Sequence, residues 1–209
     1  LLTGMEGGAY MFESGLRRDK PARIEQGRDL IRRNLARMRR VLVSELYFVK
    51  DRDLVLEPVD LERLARSVRD TMELRAEELG VGLEVVADDG APVLDELASR
   101  SLLVNMVEYA LGACHLARAL EPPAVAVKLA VINEQAELTV HAEGVRVSLD
   151  VVQGALGDHY APLGKDRAHL SLFIANRLAR RLGGCLEITT DEERGCTRFR
   201  ARVPANGSS

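Results

Sequence analysis

Hydrophobic positions along this chain recur first at helical spacing and later at strand spacing, and the change of period divides it. Leu2, Met5, Ala9, Phe12 and Leu16 fall at steps of three and four residues, which predicts one side of a helix over residues 1–16. Gly4, Gly7 and Gly8 weaken that helix by about 1 kcal/mol each relative to alanine, so they mark either close helix–helix approach or local fraying. Arg17–Pro21 is a polar break, and Pro21 suits the start of a second helix. The spacing predicts that helix over 22–48. Ile24, Ile31, Leu35, Met38, Leu42 and Val49 form its apolar stripe, with Leu46 beside them. Two such antiparallel helices cannot bury their apolar faces alone, so a dimeric four-helix bundle is expected.

Residues 50–59 form a charged linker closing on Pro58. Asp60 is the expected N-cap of a third helix, with Leu61, Leu64, Val68, Met72 and Leu79 inward and Gly80 ending it. Residues 81–87 alternate as a strand. A helix is expected from Leu102 to Ala117, with Leu102, Met106, Ala110, Ala113 and Ala117 as its apolar stripe and Asn105, Glu108 and Tyr109 on the reverse side. Residues 124–132 and 136–142 alternate and should pair across Asn133–Gln135. A short helix near 149–155 and a loop with Gly157, Pro162 and Gly164 follow. A helix over 168–182 ends at Gly183–Gly184, and strands 185–191 and 197–203 close the chain. Strands in adjacent pairs among helices predict an α+β chain: a helical hairpin over 1–57, then an α/β sandwich over 58–209 with helices on one face of a mixed sheet.

Composition narrows the function classes. Of the 209 residues, 46% are hydrophobic and 29% charged, which suits a folded domain with an appendage. Tryptophan is absent and aromatics are 4%, so the core must be aliphatic. A formal charge of −3 gives no global attraction to nucleic acid or anionic membrane. The second helix does carry a basic face, with Arg32, Arg33 and Arg37, but no DNA-binding motif accompanies it, and a solvated face with pairs such as Glu25–Arg28 is the plain expectation. No apolar run approaches the roughly 18–20 residues that span a bilayer. Cys114, Cys185 and Cys196 are odd in number and far apart, which disfavours a disulfide framework or zinc site and suits a cytoplasmic protein. His115, His141 and His159 have no partner at ligand spacing. The chain opens on Leu1 inside a helical pattern, as a piece of something longer would.

Several runs together resemble the catalytic core of bacterial two-component sensor histidine kinases. They are ELYFVKDRDLVLEPVDLERLARSV, LLVNMVEYALGAC, the helix before Gly183–Gly184, and GGCLEITTDEERGCTRFRARVP. The resemblance implies a dimerising hairpin that presents a phosphoacceptor histidine, followed by a Bergerat-type (GHKL) ATP-binding sandwich. It also locates where the ligand groups of that family would stand. The family's magnesium-holding asparagine falls at Tyr109, with Asn105 and Glu108 retained. The family's Asp-x-Gly-x-Gly run, whose aspartate accepts from adenine, reads Ala142-Glu143-Gly144-Val145-Arg146. The glycine loop that cradles phosphates reads Arg167-Ala168-His169-Leu170-Ser171-Leu172, with Lys165 just before it. Side chains at His169 and Ser171 crowd the space that glycine would leave.

Degradation of four ligand roles at once implies a pseudokinase-like domain with no catalytic residue and no cofactor. The alternative is an ATP- and Mg²⁺-dependent kinase with divergent motifs. The implied partners are a second copy of the chain through the hairpin and a response regulator receiver domain docking near Arg32, Arg33 and Arg37, with no nucleic acid and no membrane. The family's acceptor histidine would lie before Leu1 or be missing, which leaves a histidine phosphotransferase or a pure docking platform as the implied roles.

Overall fold

The computed structural model describes residues 2–49, 53–117, 123–157, 169–191, 193 and 195–206. They fall into two compact units that divide between Asp53 and Leu54. The first holds helices α1 (Leu2–Arg17) and α2 (Pro21–Val49). Glycines settle how α1 and α2 pack. A Cβ on Gly27 would meet the backbone of Phe12 at 2.5 Å and of Gly8 at 2.7 Å, so the two helices approach to backbone contact there. Gly7 has open space around it, so only some of the early glycines serve this approach. Ser14 and Asn34 are buried between the helices, and the Asn34 amide donates to its own helix at the Leu30 carbonyl. Tyr10, Leu16 and Leu35 remain exposed. The expected pair Glu25–Arg28 is present at 3.8 Å, and Arg32 and Arg33 are exposed. The side chains of Arg37, Met38, Leu42, Leu46 and Val49 lie outside the described residues.

The second unit is a two-layer sandwich. Its elements are β1 (Glu57–Pro58), α3 (Leu61–Leu79), β2 (Gly82–Ala87), β3 (Val93–Leu94), α4 (Glu96–Ala117), β4 (Ala124–Ile132) and β5 (Gln135–Glu143). Then come α5 (Leu149–Leu156), α6 (His169–Arg181), β6 (Cys185–Asp191) and β7 (Cys196–Pro204). The main sheet runs β2-β4-β5-β7-β6, with β2 and β4 parallel and the rest antiparallel. Alternation sends Leu138, Val140, Phe199 and Ala201 into the core against α3, α4 and α6. The opposite face carries charge: Arg200 and Arg202 pair with Glu187 at 2.8 and 3.1 Å.

Local signals set the helix ends. Asp60 caps α3 by accepting from the Arg63 amide, and Gly80 closes it at φ 66°. Gly183, at φ 77°, and Gly184 close α6 by donating to Arg180 and Ala179. The β4–β5 turn is Asn133–Glu134, both at positive φ, as a tight two-residue hairpin requires.

Two expectations need correction. The central helix begins at Glu96 rather than Leu102, because Asp95 caps it by accepting from the Ala98 amide. Its reverse side is not polar. Leu103, Val107, Leu111, Asn105 and Tyr109 are all buried, since α4 sits between neighbouring helices and the sheet and is apolar nearly all round. The short ladder β1–β3 was also not legible, because two-residue strands have no period.

Candidate functional site

The positions that the resemblance marks come from three places: the middle of α4, the end of β5, and the start of α6. On α4, Tyr109 is 7% exposed and meets the Phe199 ring edge-on, with centroids 5.4 Å apart and planes at 74°. That arrangement suits the two quadrupoles and makes the pair part of the core. Asn105, one turn earlier, donates its amide to the Ser101 carbonyl at 2.8 Å, so the amide donor is held by its own helix. Glu108 is half-buried and forms an ion pair with Arg75 of α3 at 3.4 Å. The carboxylate is therefore held on the α3 side of the helix.

At the end of β5, Ala142 is fully buried and offers no acceptor. Its cross-strand partner is Thr197, whose hydroxyl donates to the Val145 carbonyl at 2.8 Å and lies 3.1 Å from the Thr190 hydroxyl. Gly144 turns the chain at φ 71°, Val145 returns to the core, and Arg146 is exposed. Ser171 on α6 is half-buried. Lys165 and His159, and the side chain of His169, lie outside the described residues. The contact between the Cys114 thiol and the Glu143 carbonyl at 3.5 Å brings the last turns of α4 to the end of β5.

At two of the positions that the resemblance marks, the structure places the Tyr109 ring and the Ala142 methyl group in the core. No cluster of three or more His, Cys, Asp or Glu residues arranged to hold a metal occurs among the described residues. Two histidines have structural settings. His115 Nδ1 lies 2.9 Å from the Leu79 carbonyl at the end of α3. Burial first, and then Arg198, lower the pKa of His141, while Glu143 opposes the shift.

Burial, aided by the Glu143 carboxylate, pushes the Cys114 thiol up to about 11. A thiol raised in the folded state adds stability that is complete below its unfolded value and is lost as pH rises through the folded one. The protein is expected to lose about 2 kcal/mol of stability between pH 9 and 11 through this group. Urea midpoints across that range check it: the fall should shrink in Cys114→Ala, and an identical fall in both proteins would assign it to other groups.

Sequence reasoning did not single out Asp95, Arg75, Phe199 or Thr197. Asp95 was legible as an Asp before an apolar run, the usual helix-start signal. The other three act through contacts distant in sequence, which no local pattern announces.

No protein-family model matches the chain, and no curated protein matches its sequence. Solved structures do. Over 98% of this chain and 95% of the other, it superposes on Acinetobacter baumannii histidine kinase AdeS with a TM-score of 0.69 at 13% identity. The histidine kinase ThkA, solved in complex with response regulator protein TrrA, gives 0.68 at 16% identity, over 97% of this chain. Full-length ShkA, in complex with AMPPNP, gives 0.63 at 25% identity, over 91% of this chain. The chain has the fold of a sensor histidine kinase core. It spans 59% of the ThkA chain and 39% of the ShkA chain. Histidine kinase folds thus supply both of its units, hairpin and sandwich. No described helix is long and apolar enough to cross a membrane.

Proposed function

We propose that this chain is a two-component signalling module whose nucleotide site has lapsed, and that it serves a response regulator as a docking platform or histidine phosphotransfer partner. The burial of Tyr109 against Phe199, at the position where the family holds magnesium, carries the reading. Ala142, Arg146 and Ser171 add to it, because each replaces a ligand group or a glycine of the family pattern. The complex of ThkA with TrrA supports a receiver domain as the partner. Exposed Arg32 and Arg33 on α2 give such a partner a basic face to meet. The exposed Tyr10, Leu16 and Leu35 support pairing of two hairpins into a bundle.

Calorimetric titration with ATP and Mg²⁺ tests the nucleotide half. No magnesium-dependent, saturable binding at micromolar levels is expected. The ATP-dependent reading draws its support from ShkA, which was solved with AMPPNP, and from the retained Asn105, Glu108 and Gly144. Magnesium-dependent micromolar binding would put it first. Leu35→Asp tests the bundle, since two carboxylates would then face an apolar seam. The variant should sediment as a monomer where the parent is a dimer, and an unchanged mass would remove the bundle from the proposal.

A further inference from the structure

Away from the degraded site, α3 and α4 enclose a groove of about 400 Å³, open along one side and lined by Arg63, Arg66, Ser67, Asp70, Thr71 and Arg100. The α3 residues follow helical spacing, so they form one stripe that faces α4. Arg63 meets Glu96 at 3.6 Å and Arg100 donates to the Thr71 hydroxyl at 2.8 Å, so both helices begin at the Arg63 end and run the same way. Their partly positive N-termini therefore lie at the same end of the groove.

Three guanidiniums face one carboxylate, Asp70, within the lining. Glu96 compensates Arg63 only in part, because the Arg63 side chain remains 73% exposed. Arg66 has no acidic partner among the described residues, and Nε of Arg100 is a buried donor without an acceptor. Packing like charges side by side costs energy that a bound anion would recover. The donors present are planar guanidinium forks and the Ser67 hydroxyl, a set that suits a tetrahedral oxyanion, while the Thr71 hydroxyl donates to the Ser67 carbonyl at 2.6 Å and accepts from Arg100.

We propose that this groove binds a small phosphate-bearing anion, through residues of α3 and of the first turns of α4 rather than through the positions that the resemblance marks. Arg66 is the principal free charge. Arg100 is held in place by Thr71, and Ser67 supplies a further hydroxyl donor. The chemistry recognises the phosphates, whether they are inorganic or belong to a nucleotide. Asp70 favours an anion that reaches the Arg66 side of the groove over one lying along its whole length.

Inorganic pyrophosphate titrated into the full chain without metal, followed by backbone amide shifts, tests this. Saturable shifts are expected at residues 63–71 and 96–100. Arg66→Gln, an exposed change that leaves the fold intact, should weaken binding about tenfold, as losing one charge-assisted pair would. Thr71→Val, which frees the Arg100 anchor, should weaken it less. An ADP arm identifies the source: equal affinity means the phosphates alone are read, and tighter binding means a nucleotide is. No saturable shift, shifts confined to other residues, or affinity unchanged in Arg66→Gln would each overturn the assignment. ATP heat that persists in Tyr109 variants but vanishes in Arg66→Gln would belong to this groove rather than to a surviving kinase site.

Discussion

Restoring the asparagine of the kinase pattern, Tyr109→Asn, is expected to destabilise the protein without creating an ATP site. The ring is buried and packs edge-on against Phe199, so its removal costs both the aromatic contact and the buried surface. Large-to-small changes of this kind cost about 3–5 kcal/mol, and the new amide would need partners inside an apolar core. On the lapsed-site reading proposed above, nothing else needed for the nucleotide returns with it. Ala142 still has no acceptor, and Arg146 still stands in place of a glycine. Denaturation midpoints should fall clearly, while calorimetry should show no gain of magnesium-dependent micromolar ATP binding. A stable variant that binds ATP would mean that one side chain alone had closed the site, and the lapsed-site reading would fail.

Gly184→Ala carries the other large effect. A Cβ there would lie 2.7 Å from the Val203 side chain and 2.9 Å from the Arg202 carbonyl carbon, with the Arg202 carbonyl oxygen nearer still. Backbone cannot yield as a flexible side chain can, so the turn that leads into β6 must move away from β7. A loss of about 3 kcal/mol or more is expected. Gly183→Ala is the internal control. It strains only its left-handed φ of 77°, which costs about 1–2 kcal/mol, and its nearest neighbours are 3.7 Å away. Urea unfolding of both variants should rank Gly184→Ala as the more damaging, and the reverse order would place the tight approach elsewhere.

Much of the architecture was legible because it rests on local rules. Asp60 and Gly80 bound α3 as their chemistry requires, and strands β4 and β5 were visible from strict alternation. The middle of the chain was harder to read. Helix α4 is buried on nearly every side, so a one-sided stripe understated it and placed Tyr109 and Asn105 on a polar face. The early glycines were ambiguous for a related reason: whether Gly8 packs or frays depends on Gly27, nineteen positions on, and on Phe12 opposite it. At the candidate site the residue types at the positions that the resemblance marks were legible. What packs against them was not, because the Tyr109–Phe199 pair joins residues ninety positions apart.

The single parallel pair in the sheet has a consequence for how the domain assembles. Strands β4 and β5 meet across a two-residue turn, and β6 and β7 across a short one, so both hairpins close over brief loops at little entropic cost. Strand β2 can join β4 only after residues 88–123, including the whole of α4, have crossed over the sheet. Antiparallel β5–β7 must likewise wait for the chain through α5 and α6 to return. Distant pairings of this kind slow folding. The rate-limiting event is thus expected to be the docking of α4 onto the hairpins, with β2 and α3 added last, and α4 then acts as the organiser of the folding route as well as the centre of the folded core.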